Sequence, residues 1–310
     1  MLSKNSVLLF KTEVTYKTDP VPTAATDALV VQDLSIKPAN ERMVKRSGID
    51  STHGPLQTLY GGSLMQVEFN HELKGSGTAG TAPKIGRLLQ ACGMAETVVP
   101  ATSVTYDPAS SGQKSATIYV YRDGKLYKLL GCRGTWKMAN AAGNPGVVTF
   151  TFTGHLALTG GVTDVALPSP TVEATVPPVM KSVALTVGGF SATVSKVDID
   201  YGNVMSIRDD MNSENGYAEI LLSDREPTCT LDPEDKLIAT KDWFQDWRGG
   251  NLLALNLGPV GAAGNRVTIT APKLVFTAIA EGDREGVVTM DITAQLKKDS
   301  GDDELSIAFT

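Results

Sequence analysis

Alternation constrains this chain more than any other feature. The stretch "GVVTFTFTG" (146–154) sets Val148, Phe150 and Phe152 on one side and Val147, Thr149, Thr151 and Thr153 on the other. Successive side chains of an extended strand point to opposite faces, so this is a strand with one apolar and one polar face. "SATIYVYRDGKLYKLLG" (115–131) reads as strand, Asp123-Gly124 turn, strand, a strong hairpin signal. Further strands are expected at 29–36, 64–73, 183–187, 191–200, 217–222, 226–231, 266–278 and 304–309. Helical spacing is convincing in two short places only. One is 82–93, with Pro83 in its first turn and Gly93 at its end; the other is 239–250, with Thr240 as N-cap and Gly249 as the stop. The fold class is therefore mainly β.

The pattern is written twice. "GVVTFTFTGHLAL" at 146 recurs as "GVVTMDITAQLKK" at 286, placing Val148, Phe150 and Phe152 in register with Val288, Met290 and Ile292 as core residues. "VQDLSI" at 31 resembles "VSKVDID" at 194, and each leads into a charged loop, a strand, a short helix and paired strands. The segment between the copies is rich in proline and small residues, as a linker is. We expect a first domain at 1–160, a linker at 161–182 and a second domain at 183–310. Charge divides along the same line. Residues 1–160 carry 16 Lys and Arg against 11 Asp and Glu, whereas residues 161–310 carry 12 against 23.

Bulk properties and motifs narrow the function. With a net charge of −6 and a pI of about 5.2, the whole chain has no basic footprint for nucleic acid. The apolar run Val7–Phe10 is too short for a signal peptide, and no stretch approaches a membrane span. Cys92, Cys132 and Cys229 are odd in number and widely spaced, which fits buried thiols in a reducing cytosol rather than a disulfide framework or a zinc site. Gly75, Gly77 and Gly80 spell a dinucleotide fingerprint, but the preceding "LMQVEFNHEL" alternates where such a unit needs a strand buried on both faces. These glycines are expected to turn a corner. His53, His71 and His155 have no metal spacing, and His71 is expected at the surface. Asp198 and Asp200 share a strand face and could be imagined as a hydrolase pair, though a solvated acidic face is the simpler reading. No catalytic, cofactor or metal residue is assigned. Trp243 and Trp247, four apart on the second helix, are expected to pack on a sheet.

Loop length stands out instead. About 25 residues (38–62) connect two strands, with Lys37, Arg42, Lys45 and Arg46 near the start. Such loops usually have a task. The second copy has its own loop at 202–224, where Arg208 is followed by Asp209, Asp210 and Glu214. A basic arm and an acidic arm suggest docking between subunits. The polar strand faces, Thr149 and Thr151 with Thr289 and Asp291, are candidates for a lumen wall.

Three segments carry a family resemblance: "TEVTYKTDPVPTAATDALVVQDLSI" (12–36), "LKGSGTAGTAPKIGRLLQACGMAETV" (73–98) and "GDDELSIAF" (301–309). Over essentially its whole length the chain resembles the tail tube (major tail) proteins of long-tailed bacteriophages. That resemblance implies two tandem tail tube domains of β-sandwich or barrel-like fold, each with one short flanking helix and one long inter-strand loop. It implies a virion structural protein without cofactors, made in the host cytoplasm, whose rings stack into a conduit for DNA ejection. Tape measure protein, tail assembly chaperone, tail terminator and distal tail protein would be its partners, and DNA would pass the lumen unbound. With two domains per chain, three chains would make a pseudo-hexameric ring. Two neighbouring readings are the inner tube of a contractile tail or secretion system and a carbohydrate-binding, adhesive β-sandwich at a tail tip.

Overall fold

Alternating strands need partners for both backbone edges and a second layer for their apolar faces, and the chain supplies these in a mainly β fold of antiparallel pairs. The structure is a computed structural model describing Leu2 and residues 4–310. Met1 and Ser3, the start of the expected first domain, lie outside the described residues.

The first half opens with β1 (Ser6–Thr12), β2 (Ala28–Leu29) and β3 (Gln32–Ala39). The long loop that follows has a two-stranded base, β4 (Met43–Val44) and β5 (Leu59–Tyr60), and leads to β6 (Leu64–Glu72). Helix α1 (Ile85–Ala91) and a hairpin of β7 (Met94–Val99) and β8 (Ser103–Pro108) come next. Then follow β9 (Ala116–Arg122), the long β10 (Lys125–Ala141), β11 (Val147–Leu156) and β12 (Val162–Asp164). The second half contains β13 (Thr186–Val187), β14 (Lys196–Asp200), β15 (Asn203–Ser206), β16 (Leu221–Arg225), β17 (Thr228–Leu231) and α2 (Trp243–Gly249). It ends with β18 (Leu253–Val260), β19 (Val267–Arg284), β20 (Val287–Lys297) and β21 (Ser306–Phe309).

Pairing order repeats between the halves. The first runs β1–β9–β10–β11–β6–β3, with β12 on the β11 side of β10. The second runs β13–β18–β19–β20–β17–β14, with β21 on the β20 side of β19. The long strands β10 and β19 each carry a bulge, at Leu130–Arg133 and Phe276–Ala278. Such a bulge bends a strand, so each can serve two layers over a shared core.

Among the described residues, two strand pairings break the independence of the halves. Past its bulge, β10 pairs with β14 from Lys137↔Asp200 to Ala141↔Lys196, and the β7–β8 hairpin pairs with β21 through Ile307↔Tyr106. The main apolar core accordingly runs from Leu8 to Phe309 through both halves. The segment after β12 is strapped down rather than loose. Thr171 N donates to Ala24 O, Thr175 Oγ1 to Ser76 O and Asn265 Nδ2 to Val176 O.

Phe150 and Phe152 fill the core as alternation requires, with Phe69 about equidistant at 5.9 and 6.0 Å. Burying such a side chain stabilises the fold by about 1.5–3 kcal/mol. Met290 and Ile292 do the same in the second half, but Val288 is exposed, because β20 there runs past the end of the core. In α1, Ile85, Leu88 and Leu89 are buried at helical spacing, and Gly86 lies against Tyr106 so closely that a Cβ would fall 1.8 Å from the hydroxyl oxygen. The second helix starts later than expected. Asp242, not Thr240, is the N-cap and accepts from Gln245 N at 2.8 Å, while Gly250 in the left-handed region ends it. Trp243 packs between Phe190 and Phe276; Trp247 instead points outward.

Candidate assembly surfaces

The β10–β14 joint fuses the two halves into one run of strands, β3–β6–β11–β10–β14–β17–β20–β19. Its faces inherit the alternation of each strand: apolar residues go to the core and polar ones to the outside. Thr149 Oγ1 donates to Asn70 Oδ1 at 2.7 Å, and Asn70 Nδ2 to Asp33 at 2.9 Å. Thr151 stands between Glu68 and Thr135. Across the joint, Lys137 pairs with Asp200 at 2.8 Å, and that carboxylate raises the lysine above its ordinary pKa. Asp198, Thr230 and Thr293 continue the row, and Asp291 is exposed beyond them. Thr289, expected on this open face, is buried. Glu234 forms a β-bridge with Thr289, and Arg284 reaches across β20 to Asp232 and Glu234, at 3.2 and 3.1 Å.

This run ends in two open edges. Among the described residues β3 pairs with β6 alone, and residues 277–284 of β19 pair with β20 alone.

The two long loops, expected to reach other subunits, meet each other within the chain. Arg42 lies over the Tyr217 ring at 4.0 Å and pairs with Asp209. The Tyr217 hydroxyl donates to Asn40 O, and Asn215 Nδ2 donates to Leu156 O at 2.7 Å. Gly62, with φ +114°, comes so close to Asn215 that a Cβ would fall 2.1 Å from its carbonyl oxygen. Of the remaining docking candidates, Glu214 accepts from Leu158 N at 2.5 Å, and Asp210 accepts from Asn212 N to form its own turn. Lys37, Lys45, Arg46 and Arg208 are exposed, and the arm beyond β4 also exposes Ile49 completely. Sequence reasoning passed over Asn40, Asn215 and Tyr217. The neighbouring signals were Gly61-Gly62 and Asn215-Gly216, where backbones must approach closely.

Among the described residues, three ion pairs join the halves: Arg42–Asp209, Arg133–Glu219 at 2.9 Å and Lys137–Asp200. Each takes its cation from the first half and its anion from the second.

The glycines at 75, 77 and 80 pack backbone on backbone. Gly75 N donates to Asn265 Oδ1 at 2.7 Å, Gly77 N donates to Gly264 O at 3.0 Å, and a Cβ on Gly80 would meet Ala101 N at 2.2 Å. His71, expected at the surface, is 2% exposed, because alternation puts it on the same face as Val67 and Phe69. Its Nδ1 lies 2.7 Å from Glu72 O. His155 is also buried, beside Tyr16. Desolvation holds both rings down at about pKa 4, so they are neutral structural groups. Burial likewise pushes the Cys229 thiol up to about 12. Among the described residues no three His, Cys, Asp or Glu gather to hold a metal ion, and no helix is long and apolar enough to cross a membrane.

Comparison with known proteins gives one family. A family model described as "Phage tail tube protein" matches residues 3–310. No curated protein matches the chain.

Proposed function

This chain belongs to the phage tail tube protein family, and from that premise we propose that it carries two tube domains, 1–160 and 183–310 joined by 161–182, and builds rings of three chains. Membership makes it a structural component of the virion tail that self-assembles into a tube. The observation that carries the finer reading is the repeated pairing order. One ladder, β10–β14, joins two like units side by side inside one polypeptide. If that joint sets the geometry around a ring, three chains supply six units and close it.

The charge pattern supports the same arrangement. Each internal ion pair matches a first-half cation to a second-half anion, and alternating units would repeat that match between chains. Exposed pairs add only about 0–1 kcal/mol each. Their value lies in steering encounter and rejecting like-to-like contact.

The polar sheet face, with Thr149, Thr151, Asp198 and Asp291, forms the lumen wall. A wall of hydroxyls and carboxylates neutralises few phosphates, so DNA slides past instead of binding. The exposed arm with Lys45, Arg46 and Ile49 reaches the neighbouring ring, and the Arg42–Asp209 contact braces its root. Tape measure, chaperone, terminator and distal tail proteins are its partners in the tail, assembled in the host cytoplasm. Electron microscopy of concentrated protein, with light scattering on the smallest assembled species, tests this reading. Rings of three chains are expected; rings of six chains would overturn it.

A further inference from the structure

The internal joint is made by the part of β10 beyond its bulge and by β14. In the repeated order their counterparts are β19 and β3, and those two strands own the open edges. The geometry points to a second joint, between copies: the end of β19, residues 282–284, in one chain pairs antiparallel with residues 37–39 of β3 in the next, as β10 pairs with β14 inside the chain. This rests on the ring reading and deepens it by naming the strands and their register.

The register follows from the ladders on the far side of each strand. Met138 faces Val148 and Asp283 faces Val288, and the two valines hold the same place in the repeated motif. Asp283 is therefore the counterpart of Met138. Ile199 faces Cys229, which faces Ala294; Pro38 faces Met65, which faces Gly154. Ala294 and Gly154 also hold equivalent places, so Pro38 is the counterpart of Ile199. Met138 faces Ile199 within the chain. Asp283 should thus face Pro38 of the next copy, with Gly282 opposite Ala39.

The two joints differ in chemistry. Inside the chain Trp136 stacks on Tyr201 at 5.0 Å, and Asn203 Nδ2 donates to Cys92 O and Gly134 O. Glu281 stands in the place of Trp136 and Asn40 in that of Tyr201. An edge bearing carboxylates on its core-side face, meeting a strand that contains proline, resists indiscriminate pairing. Each such joint is weak alone. Closure of a ring makes the last contact intramolecular and secures the others.

Cysteine pairs test the register in the full chain, because the three native cysteines are buried. Asp283→Cys with Pro38→Cys, oxidised under assembling conditions, should give covalent dimers and trimers that reductant dissolves. Gly282→Cys with Ala39→Cys, one step along the ladder, provides the same test should the first variant fold poorly. Asp283→Cys with Gln32→Cys lies off register by six residues, about 20 Å, and should stay monomeric on denaturing gels. If three-chain rings form but neither matched pair cross-links, or if the offset pair cross-links equally, the joint is wrong and the ring reading stands. If the unaltered chain forms no rings, both fall.

Discussion

At the scale of single residues, the polar groups that matter are those the core has swallowed. His71 and His155 take up protons less readily in the folded chain than the ordinary value of 6.5 allows, because burial penalises the imidazolium. The unfolded chain therefore binds protons first as pH falls. Their contribution is complete above about pH 6.5 and is lost as pH drops toward 4, at most about 3 kcal/mol for each ring. Thermal melts at pH 7, 5.5 and 4.5 should show a falling midpoint, and His71→Gln should flatten that slope; an unchanged slope would show that the ring does not govern it. This burial was legible in the alternation Val67, Phe69, His71, although polarity argued for the surface. The Gly62–Asn215 approach was not legible, since it joins residues 153 positions apart in sequence.

At the scale of elements, periodicity served best where one face is wet. Strands β6, β10, β11 and β17 fall close to their expected places because apolar and polar residues alternate; β9, buried at six of its seven positions, was legible from the Asp123-Gly124 turn that follows it. β1 was missed for the opposite reason: Val7, Leu8, Leu9 and Phe10 are all buried, so no alternation survives. The hairpin of β7 and β8 was missed because β7 is exposed along nearly its whole length and presents no apolar face. The element that most shapes the molecule is β10, whose far end carries Trp136 into the joint between the halves. Trp136→Ala should cost about 3–5 kcal/mol, since the vacated space adds a cavity to the lost burial. Urea unfolding would measure it, and a loss below about 1 kcal/mol would show that the Trp136–Tyr201 stack does not hold the halves together.

At the scale of the whole molecule, the assembly we propose divides its work between two surfaces: strand edges for the ring and the exposed arm for stacking. Lys45→Glu with Arg46→Glu should leave rings intact and shorten or abolish tubes in electron micrographs, whereas full-length tubes would remove the arm from that role. Arg42 is left out of this variant because its guanidinium holds the two loops together within the chain. The sequence by itself determined the β class, the two short helices, the repeated motif and the opposite charges of the halves, because each is written in neighbouring residues or in composition. The tertiary structure decided which loops embrace, where β14 joins β10 and which two edges stay open. Those outcomes depend on strands far apart in the chain competing for the same backbone partners, and no local pattern records which of them wins.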